Sequence, residues 1–160
     1  MIGRTDEASR LIHATPADIY RACTRAEALA AWRAPAGMTA EVLSFDPRPG
    51  GGYRMTLTYA VPPAAGGKSS HDSDVFDGVF LELEPDRRIV EEVRFDTDDP
   101  GFAGAMQVIT LIAPAEGGAD VTMRCENVPA GITAEDHQAG IRSTLANLAA
   151  FVEQPAPAAG

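Results

Sequence analysis

Only two cysteines, Cys23 and Cys125, occur in the 160 residues, and they stand far apart. A disulfide framework is therefore not expected, and a lone cysteine in a strand reads as a small buried hydrophobe. Basic residues are outnumbered, 13 Lys and Arg against 23 Asp and Glu, for a formal net charge of −10. Arg87-Arg88 is the only adjacent basic pair. Nucleic acids and anionic membrane surfaces both reward clustered cations, so neither is an expected partner. No stretch approaches the ~20 apolar residues of a membrane span. The segment from Met1 to Glu7 lacks the apolar core of a signal peptide. These absences lead to the expectation of a soluble, cytoplasmic protein. Catalytic signatures are missing too: there is no HExxH, CxxC, P-loop, GxGxxG or GxSxG pattern. His13, His71 and His137 are widely spaced, and no His/Cys/carboxylate cluster has metal-ligand spacing. Neither a metal nor a cofactor is expected.

What is present is a chain with 45% hydrophobic residues, enough for one compact domain with a sizeable core. The expected domain runs over 1–153, with a frayed Pro/Ala tail at 154–160. A short first strand is expected at Ser9–Ala14, with Leu11 and His13 on one face and Arg10 and Ile12 on the other. Thr15-Pro16-Ala17-Asp18 then starts a helix: Thr15 caps, Pro16 fits the first helical position, and Asp18 suits the positive end of the dipole. Ile19, Tyr20 and Cys23 form its expected buried side. Thr24-Arg25-Ala26-Glu27 has capping-box spacing and predicts a second short helix carrying Leu29 and Trp32 inward.

The middle of the chain reads as strand after strand. Ala40–Phe45 leads into a Pro/Gly turn cluster. From Tyr53 to Tyr59 alternation is strict, with Tyr53, Met55, Leu57 and Tyr59 on one face and Arg54, Thr56 and Thr58 on the other. Val61–Asp74 is a polar loop rich in Gly, Pro, Ala and Ser. Strands at Val75–Leu83 and Ile89–Phe95 flank a Pro85-Asp86 turn. Strands at Met106–Ala113 and Ala119–Val128 follow, joined by Glu116-Gly117-Gly118. Finally Thr133-Ala134-Glu135-Asp136 opens a long helix. Ile141, Leu145, Leu148 and Val152 recur along it at helical spacing, joined by Thr144 and Phe151, with His137 one turn earlier on the same stripe.

The order is β-α-α-β-β-β-β-β-β-α, an α+β pattern in which one antiparallel sheet must bury its apolar face against the last helix. A curved sheet wraps a single helix incompletely and leaves a groove. Several segments carry a family resemblance: the Thr15-Pro16 helix start, Trp32, Gly51-Gly52-Tyr53-Arg54, Gly78-Val79-Phe80-Leu81-Glu82-Leu83 with Pro85 and Arg88-Ile89, and His137-Gln138-Ala139-Gly140. Together they resemble the START-like (SRPBCC, helix-grip) superfamily, and within it the family of the heat-shock-protein-90 ATPase activator C-terminal domain. The resemblance spans about Arg10 to Glu153 and implies a helix-grip fold. Its specific points are turn glycines, core aromatics and register residues, so they speak for fold far more than for activity. One departure stands out: family members usually carry Trp after the last of these glycines, and here the residue is Ile141.

The candidate site is the cavity wall. Tyr53, Met55, Phe80, Phe95, Met106 and Met123 form its expected sheet side, with Tyr59 at the edge. Ile141 and Leu145 come from the last helix and Trp32 closes one end. Methionines suit an adaptable apolar wall, and the tyrosines are core aromatics first and ligand hydrogen-bonders second. His137, at the first turn of the closing helix, could donate to a ligand oxygen or act as acid/base; its plainer role is to tie the helix start to a strand or loop. No catalytic residue is assigned. Cys125 with His137 as nucleophile and base is set aside in favour of a buried thiol. Glu91 and Glu92 face opposite sides of a strand and cannot act as a pair; Glu82 and Glu84 share a solvated face.

Three functions follow, in order of preference. The first is binding of an apolar, aromatic or lipid-like small molecule in the cavity. The second, which the family resemblance implies, is a protein-interaction or co-chaperone-like role toward a chaperone ATPase in a stress-response setting. The third is a cyclase- or hydrolase-like enzyme of the kind found elsewhere in the superfamily.

Overall fold

The alternation that predicts a half-buried strand around Tyr53 is realised as β3 (Gly52–Tyr59), where Tyr53, Met55 and Leu57 are buried and their neighbours are not. The computed structural model describes residues 3–35, 37–64 and 66–153; the expected tail at 154–160 lies outside them. β3 belongs to a seven-stranded antiparallel sheet that also contains β1 (Arg4–Ile12), β2 (Met38–Phe45), β4 (Ser73–Glu84), β5 (Arg88–Phe95), β6 (Met106–Ala115) and β7 (Gly118–Val128). The spatial order is β1-β7-β6-β5-β4-β3-β2, so the first two strands of the chain form the two edges. Between them run the helices α1 (Pro16–Cys23) and α2 (Ala26–Trp32); α3 (Ala134–Val152) closes the chain over the curved sheet. This is the helix-grip fold.

Local chemistry explains most boundaries. The side chains of Thr15 and Thr133 accept from the backbone N–H of Asp18 and Asp136, capping α1 and α3 as their sequences predict. The β4–β5 turn places Asp86 at φ 64, a left-handed conformation that aspartate tolerates after a proline. Thr24, expected to cap α2, instead donates its hydroxyl to the Tyr20 carbonyl at 2.9 Å, and α2 starts after Arg25 with no side-chain cap. On α1 the third buried residue is Ala22 and Tyr20 is only half-buried, because the stripe is set by Ile19, Ala22 and Cys23.

The first strand also differs from its expected range. It begins at Arg4, not Ser9, and ends at Ile12; Ile12 is fully buried while Leu11 is 41% exposed. Its Arg-Thr-Asp-Glu start lacks an apolar alternation because Asp6 is the inward-facing residue there. A register shift between Arg4 and Asp6 sets that carboxylate opposite Cys125 of β7.

Candidate functional site

Helical spacing on α3 puts His137, Gly140, Ile141 and Thr144 on one face, and all four line a cavity of about 520 Å³ under the first half of the helix. Gly140 and Thr144 are too small to fill the space. One turn later Leu145 and Leu148 are at most 1% exposed, and the same stripe becomes solid core. The opposite wall is the apolar face of the sheet: Leu57, Phe76, Val93 and Phe95, then Met106, Val108, Met123 and Cys125. Pro63 and Lys68, from the β3–β4 loop, and Phe102 complete the rim.

Of the candidate wall residues, Tyr59, Phe95, Met106, Met123, His137 and Ile141 line this cavity. Trp32, Tyr53, Met55, Phe80 and Leu145 do not. They are 0–3% exposed and packed in the main core. Trp32 donates its indole N–H to the Ala22 carbonyl at 2.9 Å, joining α2 to α1. Tyr53 and Phe80 sit in an aromatic cluster with Phe45 and Phe76.

Three polar groups interrupt the apolar wall. The first is Arg33, one residue past α2, whose guanidinium is 3.9 Å from the buried carboxylate of Glu91; the two side chains are 12% and 5% exposed. Glu91 also accepts from the Tyr53 hydroxyl at 2.5 Å. Burial works against the Arg33 cation, but the oxygens of Tyr53 and Glu91 outweigh it and hold the arginine charged. Burial, reinforced by Glu91, keeps the Tyr53 hydroxyl protonated far above its ordinary range.

The second group is Asp74, 3% exposed at the start of β4. Its carboxylate accepts from the Tyr59 hydroxyl at 2.8 Å and from the Lys68 backbone N–H and ammonium at 2.7 and 3.0 Å. The ammonium also lies 5.4 Å from the Phe95 ring centre and 5.6 Å from that of Phe102. Burial first, then the hydrogen bond to Asp74 and last the Asp74 charge push the Tyr59 hydroxyl up, so it acts as a donor.

The third group joins α3 to β1. His137 Nδ1 and Asp6 Oδ2 are 2.7 Å apart, and Asp6 also accepts from Arg4, which in turn reaches the Ile132 carbonyl. His137 thus ties the helix start to a strand, its plainer expected role, and also lines the cavity. With Nδ1 engaged, Nε2 is the ring atom available to a ligand, an arrangement suited to hydrogen bonding or proton transfer.

Burial alone raises the Asp6 carboxyl, but the hydrogen bonds and charges of Arg4 and His137 outweigh it and hold the group below its ordinary value of 3.8. A carboxyl depressed in the folded state contributes stability above that ordinary value and loses it as the pH falls through the folded one. The urea midpoint should therefore drop steeply below pH 3.8. Asp6→Asn should start lower and show a shallower acid slope; an unchanged slope would remove Asp6 from the acid response.

The two cysteines are free, and burial pushes both thiols up to about 12. Cys125 lines the cavity as an inert thiol, since the thiolate is the nucleophile. Among the described residues no group of three or more His, Cys, Asp or Glu is placed to hold a metal ion. No described helix is long and apolar enough to cross a membrane.

Arg33, Glu91, Asp74, Lys68 and Asp6 are absent from the sequence-level candidates. Two of them leave a trace in the sequence. In β5 the alternation Ile89, Glu91, Val93, Phe95 sets a carboxylate on the apolar face, and in β4 Asp74 precedes Phe76, Gly78 and Phe80 in the same way. Arg33 and Asp6 reach the site through tertiary contacts that no local pattern encodes, and Lys68 through a loop contact with Asp74, 6 residues on.

The model of the family described as Activator of Hsp90 ATPase homolog 1-like protein matches residues 13–153. Among solved structures, a crystallised protein from Chromobacterium violaceum shares 35% identity, with 94% of this chain and 98% of that one covered at a TM-score of 0.82. A Rhizobium loti protein shares 26% identity over 92% of this chain and 96% of its own, TM-score 0.72. An AHSA1-like protein from Aeromonas hydrophila shares the fold at 18% identity over 94% and 92%, TM-score 0.70. No curated protein matches the chain.

Proposed function

Since the chain belongs to the family of Activator of Hsp90 ATPase homolog 1-like proteins, a family of helix-grip domains, we propose that it is a binding module for an apolar or aromatic, lipid-like small molecule. The observation that carries this reading is the cavity of about 520 Å³ under α3. That size lies within the range of about 300–1,000 Å³ usual for small-molecule sites, which are mostly apolar with a few oriented polar groups. Met106 and Met123 give the wall adaptability, while Tyr59, His137 and Arg33 supply the orienting atoms. Ile141, where relatives usually carry Trp, makes this pocket's floor its own.

A panel of flavonoids, lipids and polyketide-like compounds tests the proposal by melting temperature. A ligand of the folded state at about a hundred times its Kd adds about 2.7 kcal/mol, which raises Tm by roughly 5–10 °C in a domain of this size. Ile141→Trp, which adds bulk to the cavity floor, should reduce the shift. If no compound moves Tm while a chaperone captures the protein through its acidic surface, the binding reading is to be dropped for the interaction role.

A further inference from the structure

We infer that Arg33 is the ligand-orienting group of this cavity and that the ligand presents to it an uncharged acceptor oxygen, such as a ketone, quinone or ester carbonyl, rather than a carboxylate. The inference rests on the binding role proposed above and specifies its chemistry.

Among the described residues, Arg33 is the one cationic side chain on the cavity wall whose carboxylate partner is held beyond hydrogen-bond distance. Glu91 stands 3.9 Å from the guanidinium because its other oxygen is drawn to the Tyr53 hydroxyl at 2.5 Å. Lys68, the other wall cation, is bound by Asp74 at 3.0 Å. A guanidinium carries five N–H donors in a rigid fork; the Tyr53 hydroxyl oxygen meets one side of it, and with Glu91 beyond hydrogen-bond distance the other donors of the fork are left for a second acceptor. The acceptor should be neutral because Glu91 already supplies the counter-charge. A ligand carboxylate at Arg33 would set two anions around one cation in an apolar site, which disfavours ionisation of one of them. Asp136, also on the wall, adds to that repulsion, while Asp74 is already offset by Lys68. Phe76, Phe95 and Phe102 around the same space suit a flat ring system behind the carbonyl.

A matched naphthalene series tests this: acetylnaphthalene, the isosteric ethylnaphthalene and naphthoate, each titrated calorimetrically. Acetylnaphthalene should bind on the order of tenfold more tightly than ethylnaphthalene, as expected for an acceptor meeting a charged donor, and naphthoate should bind no better than the hydrocarbon. Arg33→Met alone leaves Glu91 without a counter-charge, so the variant to compare is Arg33→Met/Tyr53→Phe/Glu91→Leu, which removes the whole network. There the ketone preference should disappear while ethylnaphthalene still binds. Arg33→Lys, which keeps a cation beside Glu91 but loses the fork, should reduce the preference. Tightest binding by naphthoate, or a ketone preference that survives in the triple variant, overturns the assignment. Equal binding of ketone and hydrocarbon by the unmodified protein also overturns it, leaving the apolar pocket intact. If none of the three binds, the pocket reading itself falls and takes this one with it.

Discussion

Arg33→Met is expected to destabilise the protein by about 3–5 kcal/mol, the range for removing one partner of a buried ion pair. The cost does not measure the strength of the pair. At 3.9 Å the contact is long, and both side chains have given up water to make it. What makes the single change expensive is the carboxylate left behind: Glu91 is 4% exposed, flanked in the sheet by Phe80 and Val108, and among the described residues only the Tyr53 hydroxyl is left to hydrogen-bond it. The combined change Arg33→Met/Tyr53→Phe/Glu91→Leu should therefore return most of the loss, since an apolar replacement of a buried pair is often neutral or stabilising by about 1–4 kcal/mol. Urea midpoints at unchanged m-value measure both. A single-variant loss below about 1 kcal/mol would place Arg33 among ordinary surface ion pairs, and a triple variant as unstable as the single would mean that packing, not the orphaned charge, sets the cost.

This pairing also marks the limit of what the sequence discloses. Strand faces were readable wherever alternation was apolar against polar, as in Tyr53, Met55 and Leu57, and helix starts wherever Thr stood at a cap, as at Thr15 and Thr133. The rules fail where an inward position is charged. Asp6 hid the first half of β1, and Glu91 read as one of two adjacent strand glutamates, although the stripe Ile89, Val93, Phe95 already assigns it to the inner face. Their partners come from distant chain segments: Arg33 follows a short helix and His137 begins the last one. Spacing along the chain carries no record of such meetings. For the same reason the stripe on α3 was legible as a buried face, but its division into a cavity half and a core half was not. That division depends on the volume opposite Gly140 and Thr144, not on their polarity.

The segment that carries the family resemblance most densely has its own physical reason, and Gly78→Ala should expose it. Gly78 of β4 is the direct partner of Tyr53 in β3, and the tyrosine ring lies across it: a Cβ at position 78 would meet Tyr53 Cζ at 2.3 Å and the hydroxyl oxygen at 2.6 Å. In a sheet, an aromatic ring laid over a cross-strand glycine covers backbone that no side chain shields. The ring has no easy escape, because Phe45, Phe76 and Phe80 surround it with centroids 6.3, 6.0 and 5.6 Å away and its hydroxyl is tied to Glu91. One methyl group therefore brings two costs. Overpacking takes about 1–3 kcal/mol, and turning the hydroxyl away from a buried carboxylate takes about 1–3 kcal/mol more, so a loss of about 3 kcal/mol or greater is expected. A double-mutant cycle isolates the mechanism. In a Tyr53→Ala background the obstructing ring is gone, and adding Gly78→Ala should cost less than about 1 kcal/mol, with the difference appearing as a coupling energy between the two sites. If Gly78→Ala costs the same in both backgrounds, the glycine is needed for the β4 backbone itself, and the ring above it is incidental.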